Sequence, residues 1–220
     1  MGGEKIMDNI NRVYSKVFAW LFVGLLITFG TGYGLYLNKD LMITTLKTMY
    51  IPIIIIELAI ALFLSFRITK MKPITTKILY ILFTITTGIT FSALFVVYEL
   101  GSIIFIFLLT AIIFGVLAFY GYITKRDLTN FGVILLVTLL VIIVASILNA
   151  LFFHSSSLHL GITILGVLVF MGFVVYDMQK IKQMLPTIGE EKAAVFGAFQ
   201  LYLDFINLFI RLLELFGKKK

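Results

Sequence analysis

The chain has 220 residues, of which 61% are hydrophobic and only 13% are charged, with a formal net charge of +7 and a mean hydropathy of +1.10. Soluble domains carry about twice that charged fraction, so the composition excludes a soluble enzyme or a nucleic-acid-binding protein and indicates a surface solvated by lipid. The chain has no cysteine, which excludes disulfides, thiol catalysis and thiolate metal sites.

Seven apolar segments follow one another, each near the roughly 20 residues that a helix needs to cross the hydrocarbon core. They are predicted near residues 17–37, 49–66, 78–98, 103–122, 131–153, 159–179 and 195–216. Because backbone polar groups in lipid must be satisfied within their own segment, we expect helices rather than strands. The chain is therefore predicted to be an all-α integral membrane protein, a seven-transmembrane-helix bundle forming one domain over residues 1–220.

Basic residues predict the orientation, because short connections rich in Lys and Arg stay on the cytoplasmic side. The N-terminus and the connections on its side contain twelve of them: Lys5, Arg12, Lys16, Arg67, Lys70, Lys72, Lys77, Lys125, Arg126, Lys180, Lys182 and Lys192. The opposite connections contain two, Lys39 and Lys47. We expect a cytoplasmic N-terminus. Arg211 and the three C-terminal lysines conflict with a seventh crossing, so the last segment is either a full span or a re-entrant one.

Small residues on two segments indicate close helix packing. Gly30 and Gly34 form a small-xxx-small pair in the first segment, and Gly88 and Ser92 form another in the third. Such pairs let helix backbones approach each other in membranes. We interpret these residues as packing positions rather than ligand-binding ones.

Glu57 is an ionisable residue in the middle of the second apolar segment. Charges at the centre of a membrane helix cost about 2.5 to 3.5 kcal/mol on insertion scales. Its own helix offers no basic residue within reach, so Glu57 needs a partner from another helix, a proton or a cation. Two interpretations stay open: a neutral carboxyl group in one interhelical hydrogen bond, or a place on an ion pathway.

Asp177 and Asp204 are the other two acids in apolar surroundings. Asp177 lies at the inner end of the sixth segment, where Lys180 could serve as a local partner. Asp204 lies nine residues into the seventh segment, about 13 Å along a helix axis. Asn207 and Arg211 continue a polar stripe from Asp204, which we expect to face protein or water. The predicted topology places both aspartates in the inner half of the bundle.

Two carboxylates brought close in a low dielectric cannot both ionise easily, so Asp177 and Asp204 would share a proton and sense pH. Arg67, at the inner end of the second segment, could bind the ionised pair and release it on protonation. The same oxygens suit calcium, which makes both aspartates candidate metal ligands. His154 and His159 flank a serine-rich connection and are interpreted as surface residues rather than a metal site.

Two stretches resemble the C-terminal part of the Bax inhibitor-1 family: VVYDMQKIK at 174–182 and LYLDFINLFIRLLELFG at 201–217. The position of Glu57 and the stretch GITFSALF at 88–95 fit as well. The resemblance implies a seven-helix bundle around a central last helix, with a calcium leak governed by pH through the pair Asp177 and Asp204. It also implies an arginine latch from the second helix, for which Arg67 is the nearest candidate and Lys70 the next.

A chain without extra domains resembles the bacterial members of that family, which implies a multi-pass protein of the cytoplasmic membrane. Its expected partners are the lipid bilayer, calcium and protons. No permanently bound cofactor and no nucleic acid are expected, and the protein partners stay open.

Two other functions compete with the calcium leak. An intramembrane aspartyl protease also uses two aspartates, and Tyr176-Asp177 fits its first motif. Such proteases have a GxGD motif at the second aspartate, and Tyr202-Leu203-Asp204 lacks its glycines. A non-conducting membrane scaffold or regulatory protein is the other alternative. An enzyme is therefore not expected.

Overall fold

The computed structural model describes the backbone from Gly2 to Lys220 and the side chains from Asn9 onward, so the side chain of Lys5 lies outside it. The helices are α1 Gly2–Leu37, α2 Lys39–Arg67, α3 Pro73–Val97, α4 Leu100–Ile123, α5 Thr129–Leu148, α6 Ser156–Ile188 and α7 Glu190–Phe216. A 3₁₀ turn, Ile68–Lys70, follows α2, and a π-helical segment, Asn149–Phe153, follows α5. Within the described residues, seven helices are long and apolar enough to cross a membrane. The predicted all-α membrane fold is confirmed.

Most helix ends differ from the prediction, because hydropathy marks the part of a helix inside the hydrocarbon core and not the whole helix. The largest difference is at α1, which begins at Gly2 instead of 17. α2 begins at Lys39 instead of 49, with Asn38 as its N-cap and Pro52 inside it. α6 continues past 179 to Ile188. α7 begins at Glu190 instead of 195, which places Asp204 roughly 21 Å from the helix start rather than about 13 Å.

The chain divides into two compact units. The first comprises residues 1–99, 181–202 and 219–220, and the second comprises residues 100–180 and 203–218. Both α6 and α7 therefore contribute to each unit. The single transmembrane domain over residues 1–220 stays a prediction.

In the first unit, α1 packs closely against α3. A Cβ added to Gly88 would lie 2.8 Å from the carbonyl oxygen of Thr28, and one added to Gly32 would lie 2.8 Å from the carbonyl oxygen of Gly88. Gly30 and Gly34 face open space, so the packing role predicted for that pair is wrong within this chain. Gly32, two residues along and on another face of α1, provides the contact instead, and the role of Gly88 is confirmed.

In the second unit, α5 and α6 share an aliphatic core, and α7 packs on α4 through aromatic rings. The aliphatic core consists of Leu135, Ile142, Ile162 and Val169. The ring of Phe205 lies 5.2 Å from that of Phe107 and 5.5 Å from that of Phe114, measured between centroids. Such tilted and edge contacts add stability beyond the area that they bury.

α7 is the most buried of the seven helices. Its most apolar stretch is 78% buried, against 11% to 39% for the other six helices. A membrane helix that contacts lipid on one side cannot reach that degree of burial, so α7 is surrounded by other helices. This confirms the prediction of a central C-terminal helix.

The C-terminal lysine is bound beside the last turns of α1 and α3. The backbone N–H of Lys220 donates to the carbonyl oxygen of Val97 at 3.0 Å, and its Nζ donates to the carbonyl oxygen of Phe95 at 2.6 Å and to the Tyr36 hydroxyl at 3.0 Å. These partners lie at the opposite ends of α1 and α3 from their first residues. Between the full span and the re-entrant segment, the structure therefore has the full span.

Candidate functional site

Asp177 of α6 and Asp204 of α7 meet in the second unit, and we call them the aspartate pair. Their carboxyl groups lie close enough to interact directly. The two residues are only 6% and 4% exposed, and the side chains next to them, Val174, Met178 and Phe205, are fully packed. The structure thus brings together the two residues that the sequence pairs, and it removes them from both lipid and water.

One oxygen of the pair stays available. Asp204 Oδ2 has no hydrogen-bond partner among the described residues. A buried carboxyl oxygen without a donor is destabilising, and a proton or a cation on that oxygen relieves the cost. The pair can therefore hold a shared proton or offer oxygen ligands, as its charge state dictates.

Lys180 lies three residues after Asp177 on α6. Among the described residues it forms no ion pair with either carboxylate within 4.0 Å. Its Nζ lies 5.5 Å from the centroid of the Tyr176 ring instead. The direct local pair of Asp177 with Lys180 is therefore not formed.

Glu57 lies in the first unit and is half-buried. The hydroxyl of Thr90 on α3 donates to Glu57 Oε1 at 3.4 Å. Thr87, one turn earlier, lies near Glu57 and Tyr202, but its hydroxyl donates to the carbonyl oxygen of Phe83 at 2.9 Å. The Tyr202 hydroxyl lies 2.5 Å from Thr28 Oγ1. Sequence reasoning missed the Thr90 partner, although threonines spaced by three on a helix mark one polar face. The arrangement matches an interhelical hydrogen bond to Glu57.

Arg67 is the last residue of α2 and is exposed. It belongs to the first unit, whereas the aspartate pair belongs to the second. Lys70, the alternative latch, is exposed in the 3₁₀ turn that follows. The latch role of either residue stays a prediction.

The polar stripe on α7 makes separate local contacts. Asn207 Nδ2 donates to the carbonyl oxygen of Leu203 at 2.8 Å, on its own helix. Arg211 Nη1 lies 3.9 Å from Glu214 Oε2, which also accepts from the Thr163 hydroxyl of α6 at 3.2 Å. Asn207 and Arg211 are half-buried, and neither bonds to Asp204.

Within the part of the chain that the structure describes, no three His, Cys, Asp or Glu residues cluster as a metal site. Calcium takes six to eight oxygen ligands, so the two aspartates alone would be a partial coordination shell. His154 and His159 are exposed at the connection between α5 and α6.

A family model described as "Inhibitor of apoptosis-promoting Bax1" matches residues 10–220. The chain belongs to the Bax inhibitor-1 family. The match includes both aspartates, Glu57 and all seven helices, so the predicted family is confirmed over nearly the whole chain.

Bacterial members of the Bax inhibitor-1 family are similar to this chain along almost their full length. Inner membrane protein YbhL of Escherichia coli K12 is 38% identical, over 96% of this chain and 94% of its own. An uncharacterised protein of Borreliella burgdorferi is 36% identical, over 96% and 93%, and one of Deinococcus radiodurans is 32% identical, over 98% and 94%. With seven apolar helices, this Bax inhibitor-1 family member is a multi-pass membrane protein.

Proposed function

We propose that this protein is a pH-sensitive calcium leak of the cytoplasmic membrane, gated by protonation of the aspartate pair. The observation that supports the proposal is the contact between two buried carboxyl groups, Asp177 and Asp204, on adjacent helices of a membrane bundle. The N-terminus would be cytoplasmic, as the distribution of basic residues indicates.

Proton sharing makes the contact sensitive to pH. When one proton lies between the two carboxyl groups, the pair has one negative charge and a hydrogen bond holds α6 to α7. When that proton leaves, two negative charges face each other in a site with little water, and they repel. A change of one proton therefore alters the force between two helices.

Calcium enters this scheme as the permeant ion. Carboxylate oxygens are its preferred protein ligands, and Asp204 Oδ2 has no competing donor among the described residues. Glu57, with its hydroxyl partner Thr90, is a second candidate position on the pathway. Arg67 would act as the latch that holds the ionised pair, and Asn207 and Arg211 would support α7.

The test is calcium influx into liposomes that contain the purified protein, measured from acid to alkaline pH. Wild type is expected to conduct in a pH-dependent manner, and Asp177→Asn and Asp204→Asn are each expected to flatten that dependence, because Asn cannot exchange a proton. Asp127→Asn is the matched control, since Asp127 is an exposed aspartate outside the pair. Absence of protein-dependent flux at every pH contradicts the leak. Unchanged pH dependence in both variants contradicts the sensor.

A further inference from the structure

A cavity of about 630 Å³ lies in the second unit, where α5 ends and α6 begins. Seven of its nine lining residues are polar or ionisable, and the other two are Ala150 and Ile162. Its volume is in the range of ligand pockets, about 300 to 1,000 Å³. The structure describes all nine lining residues. None of them is acidic, and three are basic: Arg211, His154 and His159. This lining favours an anion over a cation.

Arg211 reaches the cavity with most of its donors available. Its Nε is buried and has no hydrogen-bond partner among the described residues. Within the same residues, the one ion pair of Arg211 is the 3.9 Å contact between its Nη1 and Glu214 Oε2. Gly166 of α6 makes room for the side chain, since a Cβ there would lie 2.7 Å from Arg211 Cδ. A guanidinium group has five N–H donors in a planar fork, which matches the oxygens of an oxyanion in a bidentate geometry.

The opposite wall is held rigidly. Asn149 Nδ2 donates to the carbonyl oxygen of Ser155 at 3.1 Å, and the Ser155 N–H donates to Asn149 Oδ1 at 2.9 Å. His154 between them has a φ of 48°, in the left-handed region, and follows a π-helical segment. Both features cost energy and concentrate at functional sites. The wall is therefore ordered before any ligand arrives.

The start of α6 also matches an anion. α6 begins at Ser156 in the cavity wall, and the N-terminal end of a helix favours negative charge. This helix end therefore adds to the preference of the cavity for an anion.

We propose that this cavity binds a phosphate group, with Arg211 as its anchor and His154, His159 and the serine hydroxyls as further donors. The group belongs to an anionic lipid headgroup or to a small soluble phosphate, and both sources use the same donors. This site is independent of the aspartate pair, so it stands or fails separately from the calcium leak.

The experiment uses two serine variants that differ by one position. Ser156→Asp places a carboxylate in the cavity, and Ser157→Asp places the same charge on the same exposed helix turn, outside the lining. An acidic residue in the first turn is compatible with a stable helix, so both variants are expected to fold. Binding of inorganic phosphate to the purified full-length protein is measured by calorimetry. Retention of phosphatidylglycerol, compared with phosphate-free diacylglycerol, is measured by native mass spectrometry.

We expect Ser156→Asp to weaken phosphate binding about tenfold or more, through like-charge repulsion, and Ser157→Asp to change it by less than about twofold. Arg211→Gln is expected to lose binding, and Arg211→Lys to retain part of it. Loss of phosphatidylglycerol retention in Ser156→Asp assigns the lipid source, and phosphate binding without lipid retention assigns the soluble source. The proposal is overturned if wild type binds neither probe, or if the two serine variants weaken binding equally.

Discussion

Acidic residues at two places in this protein have different kinds of partner. Glu57 accepts a hydrogen bond from the Thr90 hydroxyl on α3, whereas Asp177 and Asp204 lie against each other. A hydroxyl group can donate to a carboxylate or accept from a protonated carboxyl group, so the surroundings of Glu57 tolerate either charge state. A pair of carboxyl groups has no donor without a proton, so its contact depends on the charge state.

The largest expected effect is a difference in the pH dependence of flux when each acid is replaced with its amide. A one-proton equilibrium changes flux by up to about tenfold per pH unit, and Asp204→Asn is expected to reduce that change to less than about twofold. Glu57→Gln is expected to keep the pH dependence, although the flux itself can fall. Liposome calcium flux against pH measures both. The comparison fails if Glu57→Gln flattens the pH profile as strongly as Asp204→Asn does.

The hydrogen bond to Glu57 is expected to contribute modestly to stability. Thr90→Val removes the donor at 3.4 Å and should lower the free energy of unfolding by about 1 kcal/mol. Thr86 bonds to carbonyl oxygens of its own helix, so Thr86→Val should cost less than about 0.5 kcal/mol. Thermal unfolding in detergent compares the two. Equal losses would show that the Glu57 contact adds nothing beyond the loss of a threonine hydroxyl.

The smallest effect concerns Asp127, which is exposed and satisfied by local donors. The Thr129 hydroxyl and the Thr129 backbone N–H donate to its Oδ1 at 2.7 and 2.9 Å, and these bonds lower the pKa of Asp127 below its ordinary value. Because the pKa is depressed in the folded state, this stabilisation is present above the unfolded pKa and is lost as pH falls through the folded one. Thr129→Val should raise the pKa, as carboxyl ¹³C chemical shifts on titration would report. An unchanged titration would assign the effect to the backbone donor alone.

Sequence reasoning predicted the seven helices because a helix that crosses the hydrocarbon core needs an uninterrupted apolar run of about 20 residues. It placed Asp177 and Asp204 together because consecutive spans are antiparallel, so both aspartates fall in the inner half of the predicted bundle. It misplaced the start of α2, since Asn38 caps a helix that begins outside the apolar run. It also missed Thr87 and Thr90 beside Glu57, because hydropathy does not tell which face of α3 meets α2.

Three glycine contacts around Asp177 hold its helix against two others. Gly121 of α4 lies against Val175 and Met178, and Gly132 of α5 lies against Tyr176; a Cβ on Gly121 would come within 2.8 Å of the Met178 Cβ. Gly172 of α6 in turn meets Leu135 of α5, 2.7 Å from where its Cβ would be. Helices in such contact cannot slide past one another without displacing their neighbours. Mechanically, Asp177 is therefore mounted on a block of three helices, α4, α5 and α6.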